Sequence, residues 1–276
     1  MNRFLKLVNF EFSRFFKLYL VLVGITVLCQ MVGVIFEARR YVGRANKAIY
    51  EDLLSKSDFI SQYGTMSFFR FSETLWFLGP IMLAGVTLLI YVFFIWYRDW
   101  FGKNTFSYRL LVLPTARLNI YLAKATTVLL FVLGLIALQL ILVPAEMQII
   151  KWLVPDELRT DFSIATISNH YYLGVLFPMT IADFILIYGV GIVAVCVVFT
   201  GILFERSYRL KGIFLGILYA AVSILVFFAP ILVNELILRN YFYANELFYM
   251  ELGTCLLTLA GAIWIGNYLM NKKIRV

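Results

Sequence analysis

Six long apolar stretches constrain this chain more than any other feature of its sequence. Lipid offers the backbone no hydrogen-bond partners, so a single segment that crosses it must satisfy its own backbone groups, as a helix does. Such a helix needs about 20 apolar residues to cross a hydrocarbon core of about 30 Å. We therefore predict an all-α polytopic membrane protein with six transmembrane helices. The predicted spans are Leu18–Phe36, Leu75–Tyr97, Ala125–Val143, Phe184–Phe204, Ile213–Asn234 and Leu252–Met270.

Composition agrees, because 62% of the 276 residues are hydrophobic and only 14% are charged, against about 25% charged in ordinary soluble domains. The longest polar connection, residues 37–73, is too short and too mixed to bury an independent core of the usual domain size. We predict a single transmembrane domain over residues 1–276. Its outer segments are residues 37–73 and 144–182.

The placement of positive charge predicts the orientation of the chain. Fifteen of the 24 Lys and Arg residues lie in the N-terminus, the second loop with the start of the third span, the fourth loop and the C-terminus. Basic residues mark the cytoplasmic side of a membrane protein, so both termini are predicted to be cytoplasmic. This distribution explains the net charge of +8 without a nucleic-acid partner.

Residues 1–17 have an amphipathic helical pattern. Phe4, Val8 and Phe15 lie on one face, whereas Arg3 and Lys17 point away from it. Such a helix lies in the headgroup plane with its cations toward anionic lipid. We predict an interfacial helix; the alternative is a helical extension of the first span.

Three further features allow narrower predictions. The apolar stretch Tyr171–Ala182 is too short to span, so it should be an outer extension or an interfacial helix, and Asp183 should be an interfacial or capping carboxylate. Residues 144–170 should form an outer loop close to the membrane surface. Gly212 and Gly216 form a G-x-x-x-G motif that packs helices either within one bundle or across a dimer.

Signals for enzyme chemistry are absent from the sequence. It has one histidine, His170, and no H-E-x-x-H or G-x-S-x-G motif, and the Gly102-Lys103 pair lacks the other residues of a phosphate-binding loop. We predict no enzyme activity and no catalytic, cofactor or metal residues in this chain. No span carries a charge at mid-depth, which weakens the case for an ion-coupled carrier.

The second loop, residues 98–117, is the most distinctive polar segment. Its middle can form a short helix that begins after Asn104 and ends before Pro114. Phe106, Leu110 and Leu113 share one face of that helix. From the residues alone, this face could dock into a groove of another protein or bury itself in the inner membrane surface.

Residues 97–125, YRDWFGKNTFSYRLLVLPTARLNIYLAKA, resemble the cytoplasmic loop of type-2 ATP-binding-cassette (ABC) exporter permeases. The resemblance rests on Asp99, Gly102, Leu110, Leu111, Pro114, Arg117 and Lys124. It implies that the segment is a coupling helix, which seats on a separate ATPase subunit that holds the ATP and Mg²⁺. The implied ATPase-docking residues are Arg98, Asp99, Gly102, Lys103, Phe106, Arg109, Leu110, Leu113, Pro114 and Arg117.

The resemblance also implies a function and an assembly. Two permease subunits, identical or different, would join two ABC ATPase subunits in the cell membrane and export an amphipathic or hydrophobic substrate. A peptide antibiotic, whose export would confer antibiotic resistance, and a lipid both fit this class. The alternative is a non-transporting membrane scaffold or sensor that recruits a cytoplasmic partner.

Overall fold

A computed structural model describes residues 3–100, 116–163, 166, 171–178, 180–237 and 241–274. Within these ranges the chain forms helices and no strand. The α-helices are α1 (Arg3–Tyr50), α2 (Lys56–Tyr63), α3 (Phe68–Ser72), α4 (Leu75–Trp100), α5 (Arg117–Leu153), α6 (Tyr171–Leu176), α7 (Ile181–Tyr208), α8 (Leu210–Leu236) and α9 (Ala244–Tyr268). A 3-10 turn, Asp156–Leu158, follows α5, and a π-helical turn, Leu269–Lys273, follows α9.

Six of these helices are long and apolar enough to cross a membrane, and each contains one predicted span. They are α1, α4, α5, α7, α8 and α9 with its π-helical turn. The prediction of an all-helical chain with six membrane-crossing helices is therefore confirmed. The location in the cell membrane and the cytoplasmic position of both termini stay predictions.

Helix α1 is one continuous helix of 48 residues. At 1.5 Å per residue it is about 72 Å long, more than twice the thickness of a hydrocarbon core. No helix end separates residues 3–17 from the first span, which favours the alternative of a helical extension. The interfacial position of residues 1–17 stays a prediction.

Contacts within the chain group the residues into two compact units. Unit 1 contains Met1–Arg14, Leu89–Leu130 and Thr180–Val276, and unit 2 contains Phe15–Leu88 and Phe131–Met179. Residues of α1, α4 and α5 contribute to both units. The assignment of residues 1–276 to a single transmembrane domain stays a prediction.

In unit 1, glycines allow α7 and α8 to approach closely. A Cβ atom on Gly212 would lie 2.1 Å from the Phe204 carbonyl oxygen, and one on Gly216 would lie 2.8 Å from the Gly201 carbonyl oxygen. Close backbone approach through small residues is typical of helices packed in lipid. The G-x-x-x-G motif thus packs within the chain, which is the first of its two predicted roles.

In unit 2, a buried core extends beyond the predicted spans. Along α1 the buried residues Val34, Ala38, Tyr41, Ala45 and Ala48 recur every three or four positions, the spacing of one helix face. They share the core with phenylalanines that follow α1 in the chain. These are Phe59, Phe68, Phe71 and Phe77.

The same core corrects one part of the prediction that residues 144–170 form an outer loop, because the first ten of these residues are helical. Helix α5 continues through Pro144 to Leu153, and Val143 and Ile150 are buried in the core of unit 2, as is Val154 just beyond the helix. A proline inside a helix removes one backbone hydrogen bond. Burial of this apolar stripe stabilises the helix across that interruption.

Asp183 lies in the first turn of α7, where it takes part in the N-terminal cap. Its backbone N–H donates to the Thr180 hydroxyl at 3.0 Å, and that hydroxyl donates to the Asp183 carboxylate at 2.6 Å. Such a cap satisfies backbone donors that have no partner inside the helix. Thr180 is thus the capping residue, and the Asp183 carboxylate supports the cap by accepting from its hydroxyl. Helix α6 is too short to cross a membrane.

Candidate functional site

The predicted docking residues fall into two groups in the structure. Seven of them lie outside the described residues: Gly102, Lys103, Phe106, Arg109, Leu110, Leu113 and Pro114. Arg98 and Asp99, in the last turn of α4, and Arg117, the first residue of α5, are described. These three residues mark both ends of the segment, and their contacts define the candidate site.

Lys124, in the second turn of α5, is the centre of a buried ionic cluster in unit 1. Its Nζ atom lies 2.7 Å from Glu11 Oε1 and 2.5 Å from Asp99 Oδ2, and it donates a third hydrogen bond to the Ile95 carbonyl oxygen at 2.9 Å. An ammonium group has three N–H donors, so all of them are used. The side chain is 1% exposed.

Two arginines complete the cluster from its rim. Arg14 Nη1 lies 2.7 Å from Asp99 Oδ1, and Arg98 Nη2 lies 2.9 Å from Glu11 Oε2. Each carboxylate therefore contacts Lys124 through one oxygen and an arginine through the other. We call these five residues, Glu11, Arg14, Arg98, Asp99 and Lys124, the ionic cluster.

The ionic cluster joins three segments that are far apart in sequence. Glu11 and Arg14 come from the start of α1, Arg98 and Asp99 from the end of α4, and Lys124 from the start of α5. Burying a charge is costly unless it is paired and hydrogen-bonded, and removing one partner of a buried pair is strongly destabilising. The cluster therefore holds these three helix ends in one fixed arrangement.

Aromatic rings surround the ionic cluster on the side of α7. Lys124 Nζ lies 5.2 Å from the centre of the Trp96 ring, and Trp96 packs edge-on against Phe199 of α7 at 5.5 Å. Tyr121 also contacts α7, where its hydroxyl donates to the Cys196 carbonyl oxygen at 2.8 Å. These contacts connect the cluster to the remainder of unit 1.

Arg117 connects the other end of the segment to the C-terminal part of the chain. Its guanidinium donates to the carbonyl oxygen of Met270, in the π-helical turn, and to that of Ile274 at 3.2 Å. Carbonyl groups at the end of a helix carry partial negative charge and favour a cation. Both ends of the predicted coupling segment are thus anchored to other parts of unit 1.

The geometry changes the role expected for Asp99. This residue is 2% exposed, and its two oxygens contact Lys124 and Arg14. Its carboxylate is therefore not on the surface, where a partner protein would contact it. Asp99 holds helix ends together, and Arg98 and Arg117, which are both partly buried, also contact groups of their own chain.

Sequence reasoning missed Glu11 and Arg14 as members of the site. Glu11 is the only acidic residue in the first 17 positions, and it lies three residues after Val8 and four before Phe15, on the same helix face. A single carboxyl group on an apolar face is buried either beside a cation or in its neutral form. That signal could have been found in the sequence, although the identity of its partners could not.

Comparison of the chain with known protein families, curated proteins and solved structures found no match.

Proposed function

We propose that this chain is the membrane subunit of an ABC-type exporter, driven by ATPase subunits that dock on residues 98–117. The observation that supports the proposal most directly is the ionic cluster, which joins the end of α4 to the starts of α1 and α5. If a partner moves residues 98–117, the ends of this segment must be fixed to other helices for those helices to move with it. With free ends, the segment would move alone.

The contacts suggest a path for that input. At the α4 end, movement of the segment reaches α1 and α5 through the ionic cluster; at the α5 end, it reaches the C-terminal turn through Arg117. ATP binding would favour one arrangement of these helices, and ATP hydrolysis would restore the other. The substrate would be amphipathic or hydrophobic, because none of the predicted spans has a charge at mid-depth.

Transport in vesicles tests this proposal. The chain and the proteins that copurify with it would be reconstituted into sealed vesicles, and movement of a fluorescent amphipathic peptide would be followed with and without ATP. We expect ATP-dependent movement of the peptide. We expect Leu110→Glu and Arg109→Glu to lower it at least tenfold, since an acidic side chain disrupts the predicted apolar and basic docking surface.

A matched control separates docking from general changes of charge. Lys211 is an exposed basic residue in the first turn of α8, on the same predicted side of the membrane, so Lys211→Glu makes the same charge change as Arg109→Glu away from the segment. Equal transport by the Arg109, Leu110 and Lys211 variants would contradict the docking assignment. A stable complex that hydrolyses no ATP and moves no peptide would instead support a scaffold.

A further inference from the structure

A small pocket in unit 2 is lined by three arginines and one acidic residue. Arg40 and Arg44 come from α1, one turn apart, and Arg70 comes from α3. The remaining lining residues are Glu37, Tyr41, Met66, Phe71 and Thr74. We call this site the arginine pocket; it shares no residue with the ionic cluster.

Positive charge predominates in the arginine pocket. Among the described residues, Glu37 is the only acidic one in the lining, and its carboxylate lies 3.5 Å from Arg40. Arg44 is exposed and has no ion pair or hydrogen bond with any described residue. Two of the three guanidinium charges are therefore not balanced by a carboxylate in the lining.

Contacts within unit 2 hold two side chains of the pocket, Arg70 and Tyr41, in position. The Arg70 guanidinium donates to the Tyr63 carbonyl oxygen at 2.7 Å and lies 5.3 Å from the centre of the Tyr41 ring. The Tyr41 hydroxyl donates to the Gly64 carbonyl oxygen at 2.8 Å. A guanidinium has five N–H donors, and only one hydrogen bond from the Arg70 guanidinium to a described residue is seen.

Backbone hydrogen bonds fix the segment between α2 and α3 that carries part of the lining. The Met66 N–H donates to the Leu158 carbonyl oxygen at 2.9 Å, and the Thr160 N–H donates to the Met66 carbonyl oxygen at 2.9 Å. Residues after α5 therefore hold Met66 beside the arginines. A site whose groups are already in place loses less conformational entropy when it binds a ligand.

A pocket lined by three arginines matches one ligand chemistry best. Arginine binds phosphate through parallel N–H···O bonds, and a tetrahedral phosphate can accept from several guanidinium groups at once. We propose that the arginine pocket binds a phosphate group, supplied either by the headgroup of an anionic phospholipid or by a soluble phosphate compound. The proposal rests on contacts within unit 2 and does not depend on the exporter function.

Binding measurements on the full-length chain test the proposal and separate the two sources. Purified chain in detergent would be titrated with inorganic phosphate by calorimetry. The same protein would be placed in nanodiscs of phosphatidylcholine, with and without phosphatidylglycerol, and the lipid retained after extraction would be counted by native mass spectrometry. Binding of inorganic phosphate identifies a soluble source, whereas retention of phosphatidylglycerol alone identifies a lipid source.

Variants connect either result to the pocket. Arg44→Gln and Arg70→Gln should each weaken phosphate affinity or phosphatidylglycerol retention about tenfold, because each removes a charged donor. Arg39→Gln is the matched control, since Arg39 is an exposed neighbour on α1 that does not line the pocket. Arg44 keeps the test decisive should Arg70→Gln fail to fold, because Arg44 has no ion pair or hydrogen bond with a described residue.

Two outcomes would overturn the proposal. One is that the wild-type chain binds no inorganic phosphate and retains no more phosphatidylglycerol than phosphatidylcholine. The other is that Arg39→Gln weakens binding as much as Arg44→Gln does, which would assign the effect to general surface charge. The transport result for the Arg109 variant concerns the exporter function alone and does not change how these binding results are interpreted.

Discussion

The two units of this chain bury acidic side chains in opposite ways. In unit 1, Glu11 and Asp99 are each 2% exposed and are surrounded by one ammonium and two guanidinium groups. In unit 2, Glu146 is 0% exposed, and neither of its carboxyl oxygens has a hydrogen-bond partner among the described residues. The three acidic side chains are thus buried to a similar degree, but only those of unit 1 have described cationic partners.

The surroundings of Glu146 explain why it has no described cationic partner. It lies on α5 three residues after Val143 and four before Ile150, both of which belong to the apolar core of unit 2. A buried polar pair on the same helix is neutral, because Gln139 exchanges hydrogen bonds with Gln30 at 3.2 and 3.4 Å. An ionised carboxylate without a partner is very costly in such a place, so the neutral acid is the form we expect.

This contrast teaches that burial of an acid does not by itself identify its function in the fold. Charged acids that share a buried lysine hold helices together and cannot lose a partner cheaply. A neutral buried acid contributes little more than an amide of the same shape would. The following predictions test that difference.

The largest effect is expected for Lys124→Met. This change keeps an apolar side chain of similar length but leaves Glu11 and Asp99 buried beside each other without their shared ammonium group. We expect the free energy of unfolding to fall by about 3–5 kcal/mol, the usual cost of removing one partner from a buried ion pair. Unfolding in mixed micelles, with increasing sodium dodecyl sulfate, measures this loss.

Lys211→Met is the control for Lys124→Met, because Lys211 is exposed and has no ion pair among the described residues. It should unfold at the same detergent fraction as the wild type. A loss of similar size in both variants would mean that the lysine charge matters to solubility in the micelle and not to the ionic cluster.

A smaller effect separates the two kinds of buried acid directly. Glu11→Gln removes a negative charge from between Lys124 and Arg98, and it should cost about 1.5–3 kcal/mol, the range for hydrogen bonds to charged groups. Glu146→Gln should cost less than about 1 kcal/mol, because a neutral carboxyl and an amide differ little in charge and shape. The same detergent titration compares them, and equal losses would show that the contrast between the units is wrong.

The six spans could be predicted because a long apolar run has one physical outcome in lipid, whatever its neighbours are. The extent of the helices could not be predicted in the same way. Charged residues such as Glu37 and Arg40 interrupt the apolar run at the end of the first span, and hydropathy therefore marks an end at Phe36. The buried stripe Val34, Ala38, Tyr41, Ala45 and Ala48 continues through them, and its helical period was the signal for a longer helix.

The candidate site was predictable only in part. The sequence assigned Arg98 and Asp99 to the predicted docking segment, but it could not show that Asp99 is buried, since its partners Arg14 and Lys124 lie 85 and 25 positions away. Long-range pairing of charges depends on how the helices pack. Glu11 stands apart from the others because its position on an apolar face indicated that it is buried, although not beside which partners.

The smallest effect is expected for an ion pair at the surface of unit 2. Lys56 donates a hydrogen bond to the Glu157 carboxylate, and both side chains are more than half exposed, at 57% and 64%. Exposed pairs contribute little, because water and salt screen them. Lys56→Gln should therefore leave the unfolding midpoint at neutral pH unchanged within experimental error, as should Glu157→Gln and the double variant.

The pH dependence of this pair follows from the pKa of Lys56. The hydrogen bond to Glu157 and the charge of its carboxylate raise that pKa above its ordinary value. Any contribution of the pair to stability is therefore fully present below the pKa of Lys56 in the unfolded chain, about 10.4. It is lost only as the pH rises through the higher pKa of the folded state. A neutral-pH measurement thus sees the pair at its full strength, and a clear loss in the single variants but not in the double variant would show that this surface pair differs from exposed pairs in general.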